Sequence, residues 1–173
     1  PFIVACKHQS ALETLALHLL FFKTVFILKK ELLFIPIVGR YLKDVCGIVI
    51  DRSRGRKAIL HIQEQLKSLS DKTALIIFPE GTRNKPGERV EKYNSGVAMI
   101  YETLRWTILP VVLNTGLFWP KTGSMRSGTA VIKILPAITI PAEKYERKKF
   151  LVELNEIIEN ESIDLYKTTM PKS

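Results

Sequence analysis

The sequence predicts a single α/β domain with a mixed, mostly parallel sheet flanked by helices. Short runs of β-branched and aliphatic residues alternate along the chain with longer amphipathic segments, the pattern of strands joined by covering helices. The 173 residues are 46% hydrophobic and 25% charged, enough to bury one core and ordinary for a globular chain. No internal repeat or low-complexity stretch interrupts that alternation, so residues 1–173 read as one domain.

The first strand is Phe2–Ala5, apolar throughout, followed by a helix over Ala11–Phe22. Thr24–Leu28 is the second strand, Pro36–Lys43 a short helix and Gly47–Ile50 the third strand. Helix Arg54–Leu69 is the clearest: Ala58, Ile59, Ile62, Leu66 and Leu69 recur at helical steps with Arg56, Lys57, Glu64 and Lys67 between them. Strand Ala74–Phe78, helix Ser95–Arg105 and strands Ile108–Leu113 and Ala130–Leu135 follow. An amphipathic helix over Lys144–Glu161 closes the fold, with no chemistry attached to it. Gly/Pro-rich punctuation at Pro79–Gly87 and Trp119–Gly128 marks two loops long enough to be functional. The second, with Phe118, Trp119, Lys121 and Arg126, suits a membrane surface or an ordinary solvated loop equally.

A net charge of +9 points to anionic partners: nucleic acid, an anionic bilayer or a phosphorylated substrate. Many small proteins are also basic without a specific reason. Two cysteines, Cys6 and Cys46, make no disulfide framework and fit a reducing compartment. With three histidines and no short ligand spacing, no metal site is expected. No stretch reaches the ~20 apolar residues of a membrane span. The chain starts at Pro1 and runs straight into a strand, which raises the expectation of an N-terminal membrane-anchoring segment upstream.

Four segments carry candidate chemistry. His8 follows the first strand at the mouth of a helix, where α/β sheets collect functional groups, and Glu13 stands five residues on. A carboxylate beside an imidazole fixes its tautomer and makes it a base toward a hydroxyl. Ser10-x-x-Glu13 reads as well as a capping box, and the two roles are compatible. Asp51-Arg52 ends the third strand, either as a solvated boundary or as a phosphate grip. Phe78-Pro79-Glu80-Gly81-Thr82-Arg83 is the most specific segment. Proline stops the strand, glycine permits an unusual backbone angle, and Glu80 and Arg83 are displayed at the sheet edge. Ile108–Gly116, containing Pro110, reads mostly as a buried strand with a proline at an edge or bulge. Lys29-Lys30 is a further basic spot that surface charge would explain.

Taken in order, His-x4-acid, Gly-x3-Asp-Arg, Phe-Pro-Glu-Gly-Thr-Arg and a Pro-bearing apolar strand resemble the four motifs of the glycerolipid acyltransferases. The resemblance runs from about Phe2 to Leu135 and is strongest to bacterial members that acylate 1-acyl-sn-glycerol-3-phosphate. It implies a glycerol-3-phosphate acyltransferase-like fold and transfer of a fatty acyl group from acyl-CoA or acyl carrier protein to lysophosphatidic acid, giving phosphatidic acid. It implies no cofactor. By the same resemblance His8 is the catalytic base with Glu13 as its partner. Lys30, Arg52, Glu80, Gly81, Thr82 and Arg83 attend the acceptor phosphate, and Pro110 lies on the acyl-donor side. Glu13 departs from the usual aspartate, and its extra methylene changes the reach to His8.

The implied setting is the cytoplasmic face of a bacterial inner membrane. Three alternatives remain at this level: acylation of another lyso-lipid such as a lyso-ornithine lipid, a non-catalytic basic module docking on anionic membranes, and a nucleic-acid binder. The last is weakest, because the basic residues are scattered and no binding motif organises them. No Gly-x-Ser-x-Gly element offers a serine nucleophile.

Overall fold

The computed structural model describes residues 1–29, 47–50, 60, 62, 64–66 and 72–170. Its strands are β1 (Phe2–Cys6), β2 (Thr24–Lys29), β3 (Gly47–Ile50), β4 (Ala74–Ile77), β5 (Ile108–Leu113) and β6 (Ile132–Ile134). Its helices are α1 (Leu12–Leu20), α2 (Ser95–Leu104) and α3 (Arg147–Thr169). The sheet order is β3-β2-β4-β1-β5-β6, parallel except that β6 runs antiparallel to β5 at one edge. This is the mixed, mostly parallel α/β domain expected from the alternation of strand and helix.

Alternate residues of each strand feed opposite faces of the sheet. Ile3, Ala5, Leu75, Ile77, Ile108 and Val112 join Val97, Tyr101, Phe150, Leu154 and Ile158 of α2 and α3, together with Ile62 and Leu66, in one core cluster. Val4, Cys6, Phe26, Ile76, Val111 and Leu113 face the other way, packed with Leu17 of α1. Burial on both faces explains why the central strands read as continuous apolar runs. Leu19 of α1 and Phe22 just after it are exposed, at 86% and 97%.

The boundaries shift for identifiable reasons. Strand β1 gains Cys6 because the ladder continues to Val111. Strand β4 loses Phe78, whose carbonyl accepts from Gly81 N–H and turns the chain. Helix α1 stops at Leu20 because Phe21 is already extended (φ −106°, ψ 131°) on the way into β2. Strand β6 is shorter than Ala130–Leu135, since Val131 N–H leaves the ladder for the Asn114 side chain. Helix α3 starts later than Lys144, which lies in a 3-10 turn, and runs on to Thr169 because Leu165 extends the packed stripe of Phe150, Leu154 and Ile158. Leu60, Ile62 and residues 64–66 are helical, inside the expected Arg54–Leu69. The expected helix Pro36–Lys43 lies outside the described residues. No helix among those described is long and apolar enough to cross a membrane.

Pro110 sits inside β5, buried, between β1 and β6. Its carbonyl accepts from Leu135 N–H on the β6 side, so its missing donor faces that side too, just past the end of the three-residue β6 ladder. Proline is tolerated there because no ladder bond is lost in the sheet's centre.

Candidate active site

The carboxyl ends of three neighbouring strands, β4, β1 and β5, bring the candidate residues together. Lys7 N–H makes the last bond of β1 to β5, donating to Val111 C=O at 3.0 Å. His8 N–H then faces the β4 side, where Phe2 N–H has already paired with Thr73 C=O. Continuing that register would bring it to Pro79 C=O, but Asn94 N–H occupies that acceptor at 3.0 Å. The Glu80 carboxylate takes the place of the missing strand, accepting His8 N–H at 2.9 and 3.2 Å. On the other side of the residue, His8 C=O accepts from Asn84 N–H at 2.9 Å. The loop after β4 therefore holds the histidine backbone at both polar groups.

The ring is fixed as firmly. It stacks on Phe78 with centroids 4.0 Å apart and 17° between planes. His8 Nδ1 lies 2.8 Å from Glu13 Oε1, which also accepts Gln9 N–H and Ser10 N–H at 2.7 Å each. Thr115 Oγ1 donates to the other oxygen, Glu13 Oε2, at 2.6 Å. The Glu13 carboxylate is fully buried and serves as an acceptor throughout, so Nδ1 carries the shared proton and Nε2 keeps its lone pair. The His8 side chain is 19% exposed, enough to meet a substrate. Ser10 N–H donates to Glu13 Oε1 as the expected capping box requires, but Ser10 Oγ accepts Leu12 N–H at 3.0 Å in place of Glu13 N–H, and the N-cap of α1 is Ala11, without a side-chain cap bond.

Glu80 corrects one expectation. The resemblance assigns it to the acceptor phosphate, yet its side chain is 1% exposed and turned into the protein. A buried anion also repels a phosphate. Its partners are His8 N–H and Lys7, whose Nζ lies 3.2 Å from Glu80 Oε1 and 2.7 and 2.8 Å from the two oxygens of Glu159 on α3. Tyr93 Oη and Val90 N–H donate to Glu159 at 2.7 and 2.9 Å. Burial pushes the Glu80 carboxyl up to about 7, against the pull of the Lys7 ammonium and His8 N–H. Burial, with Glu159 and Glu80 nearby, pushes the Tyr93 phenol up as well.

Gly81 closes the Phe78–Gly81 turn at φ 72°, a left-handed angle that suits glycine. Thr82 is exposed, and its carbonyl accepts Asn84 Nδ2 at 3.1 Å. Arg83 is half-buried, one residue before the Asn84 tether to His8, and makes no side-chain hydrogen bond or ion pair among the described residues. That leaves its guanidinium free for an anion. Pro110, level with Ala5 in the sheet and three residues short of the end of β5, shapes the strand and does not line the His8 end. Lys30 and Arg52 lie outside the described residues.

Sequence reasoning missed Lys7, Glu159, Phe78 as a stacking platform, and Thr115. Lys7 carried a usable signal: it continues the inward parity of Ile3 and Ala5, where a lysine demands a partner. Gly116 is packed so closely that a Cβ would lie 2.8 Å from Gln9 Cβ and Pro86 Cγ, which gives the Thr115-Gly116 turn its fixed seat beside Gln9.

A family model described as Acyltransferase matches residues 1–114. A 1-acyl-sn-glycerol-3-phosphate acyltransferase of Pseudomonas aeruginosa is 34% identical over 158 residues, covering 90% of this chain and 60% of its own. A protein of the same name from Cocos nucifera is 35% identical over 150 residues, covering 85% and 48%. The crystal structure of the 1-acyl-sn-glycerophosphate acyltransferase PlsC from Thermotoga maritima superposes with a TM-score of 0.78 at 26% identity. That match covers 99% of this chain and 68% of PlsC. The chain spans less than two thirds of the length of these curated relatives.

Proposed function

The chain belongs to the acyltransferase family, and from that premise we propose that it acylates the sn-2 hydroxyl of 1-acyl-sn-glycerol-3-phosphate, giving phosphatidic acid. The donor is a fatty acyl thioester, acyl-CoA or acyl carrier protein. The observation that carries the reading is the His8–Glu13 pair, with Nδ1 committed to the carboxylate and Nε2 left to act.

In this mechanism the acceptor hydroxyl meets His8 Nε2. As its oxygen attacks the thioester carbon, Nε2 takes the hydroxyl proton and Glu13 stabilises the imidazolium. The tetrahedral intermediate collapses, the C–S bond breaks, and the proton passes from Nε2 to the departing thiolate. The new ester bond and the free thiol balance the reaction without an acyl-enzyme. Arg83, in the loop that holds His8 and without a side-chain partner among the described residues, grips the acceptor phosphate and presents the hydroxyl at attacking distance. Arg52 and Lys30 are assigned to the same phosphate on the motif match. Glu80 is assigned to the His8 backbone, Gly81 and Thr82 to the shape of the loop, and Pro110 to the strand beneath the donor side.

The substrate is a lipid and the chain carries +9, so the proposed place of work is an anionic membrane surface, the cytoplasmic face of a bacterial inner membrane. Residues 1–173 are taken as one acyltransferase domain. Incubation of the full-length protein with lysophosphatidic acid and each thioester, read by mass spectrometry, tests the reading. Phosphatidic acid is the expected product. Acylation of a phosphate-free lyso-lipid alone, or lipid binding without product, overturns it.

A further inference from the structure

We propose that Glu159, on the closing helix α3, is a positioning residue for acyl transfer, holding the His8 backbone through Lys7 and Glu80. The proposal rests on the reading of His8 as the base.

The chain of contacts is continuous and buried. Glu159 takes Lys7 Nζ on both oxygens, and Lys7 reaches on to Glu80 Oε1. Glu80 holds His8 N–H with both of its oxygens. Lys7, Glu80 and Glu159 are all buried. Glu159 is itself fixed by Tyr93 Oη and Val90 N–H, so its carboxylate has little freedom to follow Lys7.

Stability is a poor explanation for such a cluster. Buried ion pairs are often replaced by well-packed apolar residues at no loss. Position explains it better, because the cluster ends on the His8 N–H, at the point where β4 offers β1 no further strand acceptor. With Glu159 neutral, Lys7 has a single anion left and draws the Glu80 carboxylate away from His8 N–H. The imidazole then loses its fixed seat between Phe78 and Glu13. Glu159 and α3 lie beyond residues 1–114, so the contact ties the motif-bearing part of the chain to a helix outside the matched family region.

The test is Glu159→Gln in the full-length chain, read by acyl-transfer kinetics and by the backbone amide resonance of His8. We expect kcat to fall about ten- to a hundredfold, the range for small misplacements of a reacting group. The acceptor KM should stay within about twofold, and the His8 amide proton should move upfield. Lys133→Ala, which breaks the exposed pair between Lys133 of β6 and Glu161 of α3, should change neither. A folded Glu159→Gln protein with wild-type kcat and an unmoved His8 amide overturns the proposal. If that variant fails to fold, Lys7→Met/Glu159→Leu removes the charges together. Glu80 then has no ammonium to orient it toward His8 N–H, so a loss of kcat is again expected, and wild-type turnover contradicts the proposal. A wild-type chain that acylates no lyso-lipid defeats the acyl-transfer reading, while the amide shift still decides whether Glu159 positions His8.

Discussion

Thr115 Oγ1 donates to Glu13 Oε2 over 2.6 Å, tying the carboxylate that holds His8 to the carboxyl end of β5. The extra methylene of glutamate is thereby accommodated: one oxygen serves His8 and the N–H groups of Gln9 and Ser10, and the other has its own anchor. Thr115→Val leaves that oxygen buried and unsatisfied, at a cost of about 1–3 kcal/mol. The expected result is a fall in kcat with little change in either KM, and recovery in Thr115→Ser. Steady-state kinetics of the two variants checks this.

Phe78 offers His8 a ring face at 4.0 Å. Phe78→Leu keeps an apolar side chain but removes that face. Aromatic pairs are worth about 0.5–1.5 kcal/mol beyond their buried area, so kcat/KM should drop by roughly three- to tenfold. The measured ratio against wild type tests it, and Phe78→Tyr should retain most activity.

Arg83 lies one residue before the Asn84 tether to His8 and has no side-chain partner among the described residues. Arg83→Ala should raise the KM for lysophosphatidic acid and leave the thioester KM unchanged. Arg83→Lys should recover only part of the loss, since an ammonium lacks the planar fork. A shift confined to the thioester KM reassigns Arg83 to the donor.

The Glu80 carboxyl has an ordinary value of 4.5 and stands at about 7 in the fold. The native state therefore holds its proton more tightly than the unfolded chain does between these values. The associated stability is full below 4.5 and is lost as pH rises through about 7, a change of roughly 3 kcal/mol. Thermal melts of wild type should fall across that window relative to Glu80→Gln, and run parallel above it.

The strand ends were legible because two-face burial leaves apolar runs that stop at polar or turn residues, as at Lys7 and Pro79. The His8–Glu13 contact was legible from spacing, whereas the capping box was read one residue out of place, since α1 is capped at Ala11 and Ser10 Oγ takes Leu12 N–H. Glu80 was not: nothing local distinguishes a carboxylate displayed to solvent from one folded back to replace a missing strand. Lys7–Glu159 was hidden by a separation of 152 residues. The length of α3 was missed because past Glu161 the apolar residues are interrupted by Ser162, Asp164 and Lys167, and Leu165 alone carries the packed stripe onto the core.

The base itself is decided by His8→Ala in the full-length protein, given lysophosphatidic acid with each thioester and assayed for phosphatidic acid by mass spectrometry. The variant should fold, since the His8 ring contributes one stacking contact and one hydrogen bond at a partly open site. It should form no product above the uncatalysed level. A folded His8→Ala protein that turns over near the wild-type rate contradicts the assignment.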